Sequence, residues 1–257
     1  TRAYFEADTP SPAALGGQLY SLVPLQPGGK LTLLCDAKGG VLGSPSVSYD
    51  AKRVYFSMAP KGDAYFHIFR VSPDGTGLTQ ITRGPFHDFD PVEGPDGRIA
   101  FSSTRIGSRE EYHAIYAFSL FSSNADGSNI QPLTYHIVGD REPRITSMGM
   151  LAFIRCDNFL ERAKVETHIH ETRPDGTAGQ VIIGPARTGI RLHRGAAAEY
   201  DSRWLRKYGA GSPAPLPNGR VAAISQKGLV TSATAGGSRM KIGYWPYDIS
   251  ALSDGRL

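Results

Sequence analysis

The chain has 257 residues, 28 of them basic and 24 acidic, for a mild net charge of +4. Its basic residues are scattered and no stretch approaches the roughly 18 apolar residues of a membrane span, so neither a nucleic-acid partner nor a span is expected. The 30 Gly and 18 Pro make up about one residue in five, against roughly 12% in average usage, which suits short strands joined by tight turns and excludes a helix bundle.

Taken in chain order, two motifs alternate. The first is a β-rich run closing on a Gly turn. It reads QLYSLVPLQPGG to Gly29, YFHIFRVSPDG to Gly75, YAFSLFSSNADG to Gly127 and ETHIHETRPDG to Gly176. The second is a Pro, a short polar stretch, a turn and an apolar strand. It reads SPSVSYDAKRVYF from Ser44, DPVEGPDGRIAF from Asp90, EPRITSMGMLAF from Glu142 and SPAPLPNGRVAA from Ser212. The offset between the motifs repeats: Gly29 to Pro45, Gly75 to Pro91 and Gly127 to Pro143 are each 16 residues. From Gly176 to Pro213 it is 37, an insertion of one extra loop.

Each unit therefore carries two hairpins. Asp74-Gly75, Asp126-Gly127 and Asp175-Gly176 supply the positive φ that tight turns need, and Asp96-Gly97 and Asn218-Gly219 do the same in the second hairpin. Four short strands in about 45–50 residues is the pattern of a β-propeller blade. The expected fold is all-β: a propeller of four-stranded blades with units at about 17–58, 64–105, 114–156 and 165–226, and the start of a fifth at 229–257. One short helix is predicted over 199–208. Ser253-Asp254-Gly255-Arg256-Leu257 repeats the Pro95–Ile99 pattern, so about five blades are visible and the propeller is expected to be partial or truncated, a piece of a longer chain.

The Pro-Asp-Gly hairpins resemble the WD-like repeat of TolB-type propellers. The run HIFRVSPDGTGLTQITRGPFHDFDPVEGPDGRIAFSSTR, His67 to Arg105, with NADGSNIQPLTYH and AFIRCDNFLERA, resembles most the propeller (middle) domain of the hydrazine synthase alpha subunit family. That resemblance covers residues 40 to 183. It implies an exported, periplasmic or extracellular multi-domain protein in which the propeller is a scaffold, with other domains or subunits as partners. Where relatives of that type carry cysteines, this chain reads SREEYHA at Ser108 to Ala114. With Cys35 and Cys156 alone, no covalently attached haem is expected in this stretch.

Candidate ligand-binding residues sit where loops enter the first strand of each unit: His87, Asp88 and Asp90 before Pro91, and Asp140, Arg141 and Glu142 before Pro143. Loops of this kind converge on a propeller's channel mouth, where Asp90 and Glu142 could share Ca²⁺ or a cationic ligand. The structural alternative is that they accept hydrogen bonds that tie the blades together. His168 and His170 alternate on one strand face and could hold a transition metal, with Cys156, Asp157 or His193 as a third ligand, or simply pack. Asp157 is also placed to cap a turn or pair with Arg162. Cys156 reads as a small packing residue unpaired with Cys35, Tyr244-Trp245-Pro246-Tyr247 as a groove-filling aromatic cluster, and Arg203, Arg206 and Lys207 as a solvated face.

The chain has no G-x-S-x-G elbow, P-loop, dinucleotide fingerprint or H-E-x-x-H, so the sequence names no reaction. Two functions stand. One is a non-catalytic ligand- or protein-binding propeller scaffold of an exported bacterial multi-domain protein. The other is a propeller enzyme with a metal in its channel, a polysaccharide lyase or an oxidoreductase subunit.

Overall fold

The computed structural model describes residues 17–109, 116–156, 167–183, 210–225 and 228–232. The predicted helix at 199–208, Asp157, Arg162, His193, the basic set at 203–207, the aromatic cluster at 244–247 and most of the fifth unit lie outside the described residues. All regular structure among the described residues is strand.

Among the described residues, seventeen antiparallel strands form five sheets in strict chain order. A two-stranded ribbon, β1 (Gln18–Val23) and β2 (Lys30–Asp36), comes first. A four-stranded sheet follows, of β3 (Val41–Val47), β4 (Val54–Ala59), β5 (His67–Val71) and β6 (Thr79–Gln80). The next is β7 (Asp88–Glu93), β8 (Ile99–Ser103), β9 (Ser119–Ser123) and β10 (Gln131–Pro132). Then come β11 (Gly139–Ile145), β12 (Leu151–Cys156), β13 (Thr167–Thr172) and β14 (Gln180–Ile183). The last sheet is β15 (Ala210–Pro215), β16 (Val221–Ser225) and β17 (Gly228–Ser232). The chain divides into two compact units, one of residues up to 105 with 121–131, the other of 106–120 with residues from 132 on.

The sheets are offset by half a period from the units read in the sequence. A sheet takes the Pro-led hairpin of one unit and the Gly-closed hairpin of the next, so the second repeat's 64–105 is split between two sheets. Turn chemistry marks each hairpin but says nothing about which two hairpins share a sheet.

Two backbone devices recur with the repeat. The residue before the inner-strand Pro is left-handed in each complete sheet, at Ser44 (φ 50), Asp90 (φ 52) and Glu142 (φ 52), each within a β-bulge of the first strand. The bulge carries the strand past the Pro, which has no N–H to give to the ladder. The second device is the Asp-Gly turn. Gly75, Gly127 and Gly176 all have positive φ, and each lies directly against a backbone carbonyl of the preceding sheet, that of Leu33, Ile81 and Leu133 respectively. Only glycine permits that approach.

Between these joints the sheets bury apolar side chains. Leu34 and Cys35 of the ribbon pack with Val54, Phe56, Met58, Phe69 and Val71 of the first complete sheet. In the second unit Ala152, Ile154 and Ile169 pack with Val221 and Ala223. Each large side chain so buried contributes roughly 1.5–3 kcal/mol.

Candidate functional site

The first strand of each complete sheet delivers the candidate residues. In the first unit the N–H of Asp88 donates to the Phe66 carbonyl of the preceding sheet at 2.8 Å, so the strand enters at a fixed height. The Asp88 side chain is fully buried. It accepts from Ser103 Oγ at 2.6 Å and from Arg105, whose Nε and Nη2 lie 3.1 and 2.8 Å from its two oxygens. Arg105 also donates to the Arg83 carbonyl at 2.7 Å and stacks over Phe86.

Asp140 repeats the arrangement in the second unit. Its N–H donates to the Phe118 carbonyl at 2.9 Å, and its buried carboxylate receives Nε and Nη2 of Arg155, both at 2.7 Å. Both are two-pronged guanidinium–carboxylate pairs, the geometry in which such a pair is strongest. Arg105 and Arg155 are the partners that motif reading passed over. Their signal was present: an Arg closes the second apolar strand in FSSTR and FIR, at the end that faces the Asp three residues before the Pro.

Asp90 occupies the left-handed bulge position. Its oxygens accept from Ser44 Oγ of the preceding sheet at 2.6 Å and from Ser102 Oγ of its own at 3.1 Å. The carboxylate thus ties two sheets together. Glu142 holds the corresponding bulge in the second unit and is half-buried, next to Arg141, whose guanidinium lies over the Phe118 ring at 4.4 Å.

His87 is buried in an aromatic setting, with its ring stacked on Phe89 at 5.7 Å and close to Tyr65 and Phe66. Its Nδ1 accepts from the Phe66 N–H at 3.4 Å, and its backbone exchanges hydrogen bonds with Thr104. His168 and His170 lie on β13 as expected, their rings 6.2 Å apart and nearly parallel, with His170 also against Phe153. His168 faces Arg155 directly across the ladder, so Asp140, Arg155 and His168 form one row over three strands. Among the described residues no three His, Cys, Asp or Glu side chains gather as a metal-binding group.

One further buried cluster was not foreseen. Arg53 reaches Asp50 and buried Glu93, each at 3.4 Å. Burial, with Glu93 beside it, pushes the Tyr55 phenol up to about 12. Cys35 and Cys156 are not joined in a disulfide, and burial followed by the charge of Asp36 raises the Cys35 thiol.

No model of a protein family matches the chain, and no curated protein matches it by sequence. Solved structures do. Hydrazine synthase of Kuenenia stuttgartiensis superposes with a TM-score of 0.62 at 16% identity, over 79% of this chain and 32% of that one. The fold is a β-propeller. TolB of Acinetobacter baumannii gives a TM-score of 0.56 at 16% identity, over 87% of this chain and 50% of its own. A puromycin-hydrolyzing peptidase of Mycobacterium tuberculosis gives 0.58 at 15% identity, over 91% and 36%. This chain thus spans about a third to a half of each of these proteins. Its propeller is TolB-like and hydrazine-synthase-like in fold. No helix among the described residues is long and apolar enough to cross a membrane.

Proposed function

We propose that this propeller is a non-catalytic scaffold that binds a ligand or protein within a larger, exported bacterial protein. The observation that carries the reading is the use made of the buried acids. Asp88 and Asp140 are each closed by a two-pronged Arg, and Asp90 by two Ser hydroxyls. Carboxylates so engaged hold sheets in place and are poorly disposed to move protons or ligate a metal. Recognition falls to the half-buried Arg141 and Glu142 beside Asp140. The compartment, periplasmic or extracellular, and the partners, other domains or subunits, rest on the resemblance of the repeats.

The test joins stability to metal content. Asp88→Asn and Asp140→Asn leave Arg105 and Arg155 without their counter-charge and unfold earlier in urea; an unchanged midpoint would deny that these acids hold the strands. Elemental analysis after dialysis without chelator is the second arm. About one equivalent of a transition metal, lost in His168→Ala or His170→Ala, would overturn the scaffold reading in favour of a metal-dependent enzyme. One equivalent of calcium lost in Asp90→Asn would instead make the bulge residues a cation site within the scaffold.

A further inference from the structure

The hairpin between β15 and β16 turns on Pro217, Asn218 and Gly219, which hold the one Asn-Gly pair in the chain. The Gly219 N–H donates to the Leu216 carbonyl at 3.1 Å, and Asn218 Oδ1 accepts the Arg220 N–H at 3.1 Å. Asp74-Gly75, Asp96-Gly97, Asp126-Gly127 and Asp175-Gly176 close in the same way. Asn218 differs from them in three respects. Its side chain is an amide that can release ammonia, whereas a carboxylate, ionised at neutral pH, resists a nucleophile. Its anchor is single in kind: Thr76 and Thr177 add hydroxyl bonds of 2.7 and 2.6 Å to Asp74 and Asp175, and Arg220 has no hydroxyl to offer. Its glycine has room. Gly75, Gly127 and Gly176 press on a backbone carbonyl of the preceding sheet, but a Cβ on Gly219 would meet only side chains, Met148 at 3.6 Å and Ser147 at 3.9 Å. The other asparagines lack this combination. Asn124 accepts from Arg98 and donates to Ser128 Oγ, Asn129 precedes β-branched Ile130, and Asn158 lies outside the described residues.

We propose that Asn218 is a site of spontaneous covalent modification, at which the backbone nitrogen of Gly219 attacks the side-chain amide of the exposed Asn218. A bond forms between that nitrogen and Asn218 Cγ, the Cγ–Nδ2 bond breaks, and ammonia leaves with the proton given up by the Gly219 N–H. Water then opens the cyclic imide at either carbonyl, giving Asp or an isoaspartyl linkage. Glycine suits the step because no Cβ shields its nitrogen or hinders rotation of the peptide into the ring. The Asp product is one this fold already houses, since Asp96-Gly97-Arg98 is the same turn with the acid in place, its Oδ1 accepting the Arg98 N–H at 3.1 Å. The isoaspartyl product routes the chain through the former side chain and lengthens the loop between β15 and β16 by one carbon. Either product adds a negative charge to a chain of net charge +4.

The experiment is peptide mapping by mass spectrometry of the full 257-residue chain held in warm, mildly alkaline buffer. Ammonia release is measured alongside, and far-UV circular dichroism confirms that the fold persists. A sample unfolded in guanidinium chloride gives the rate of the free segment. The expected result is a steady loss of Asn218 in the folded chain to two chromatographically separable products, Asp and isoaspartyl. Over the same time Asn124, Asn129, Asp74, Asp96, Asp126 and Asp175 stay as they are. Asn218→Asp removes most of the ammonia release. Loss of Asn218 confined to the unfolded sample, loss at Asn124 or Asn129 as fast as at Asn218, or undiminished ammonia from Asn218→Asp would each overturn the proposal.

Discussion

Replacing Gly127 by Ala tests the joint between sheets more sharply than any core truncation. Gly127 has φ +83 and follows Asp126 at the end of β9. A Cβ there falls far inside contact of the Ile81 carbonyl oxygen, 2.9 Å from the carbonyl carbon and 3.2 Å from Ile81 Cγ2. Because the obstruction is backbone, no rotamer relieves it. Gly97 is the internal control: its φ is +77, yet a Cβ there meets nothing within 4 Å. Gly97→Ala therefore carries only the cost of left-handed Ala, about 1–2 kcal/mol, less the 0.4–1 kcal/mol returned by a stiffer unfolded chain. Gly127→Ala carries the same and must also lift one sheet off the next, a further cost of about 1–3 kcal/mol, as for overpacking. Gly75→Ala, whose Cβ would lie 2.5 Å from the Leu33 carbonyl oxygen, groups with Gly127→Ala. Urea unfolding followed by far-UV circular dichroism reads the difference as a lower midpoint at constant slope. Equal midpoints for Gly97→Ala and Gly127→Ala would refute the close approach and the sheet order built on it.

Three other substitutions or conditions follow from named contacts. Arg105→Ala leaves the fully buried Asp88 charge without its guanidinium and costs about 3–5 kcal/mol, while Asp88→Ala with Arg105→Ala together costs less than the sum of the singles; additive losses in a double-mutant cycle would deny the pair. Ala51 occupies, at φ 57, the turn position that Gly97, Gly149 and Gly219 hold elsewhere, so Ala51→Gly relieves left-handed strain and raises the unfolding midpoint by up to about 1 kcal/mol. Asp74 and Asp175 are held below their ordinary value of 3.8, first by the hydroxyls of Thr76 and Thr177 and then by the same residues' N–H groups. A depressed carboxylate adds stability that is complete above its unfolded value and lost as pH falls through the folded one. Asp74→Asn with Asp175→Asn therefore lowers the thermal midpoint most near neutrality and flattens its fall on the acid side of pH 3.8, where variant and parent converge; an unchanged acid limb would count against these turns.

The fold was legible because it rests on backbone demands that only certain residues meet. Asp-Gly pairs marked the turns at Gly75, Gly127 and Gly176, which take positive φ, whereas the left-handed bulges at Ser44, Asp90 and Glu142 emerged only in the structure. The grouping of hairpins into sheets was not legible, since it depends on which faces bury Phe56, Phe69 and Val71 and not on any turn. At the site, the sequence named Asp88 and Asp140 but not the partners that engage them. Arg105 lies 17 residues and Arg155 15 residues along the chain from its acid, and a spacing set by hairpin length carries no motif. Likewise His87 reads as a ligand beside two Asp until its ring is seen stacked on Phe89, with Nδ1 accepting the Phe66 N–H.

The repeat also separates what the fold needs from what it leaves free. Three residues before the inner-strand Pro, the complete sheets carry Leu42, Asp88 and Asp140, and opposite them across the first ladder stand Met58, Ser103 and Arg155. The backbone at this position is the same each time, an entry strand pinned in the later two sheets to the Phe66 or Phe118 carbonyl, so the fold accepts an apolar pair as readily as a charged one. An Asp–Arg pair replaced by well-packed apolar residues of similar volume is often neutral or stabilising. The charge at Asp88 and Asp140 is therefore not explained by sheet stability alone, although each acid, once present, must keep its Arg. What each pair adds is a guanidinium held in a fixed orientation against its own strand, Arg105 at Asp88 and Arg155 at Asp140. Substituting both members of one pair by the Leu and Met of the first sheet separates the two effects. Asp140→Leu with Arg155→Met, the pair that stands in register with Leu42 and Met58, should keep the unfolding free energy within about 1 kcal/mol of the parent while removing that charge pattern. A loss of about 3–5 kcal/mol, that of breaking a buried pair, would show the pair to be a stability element and nothing more.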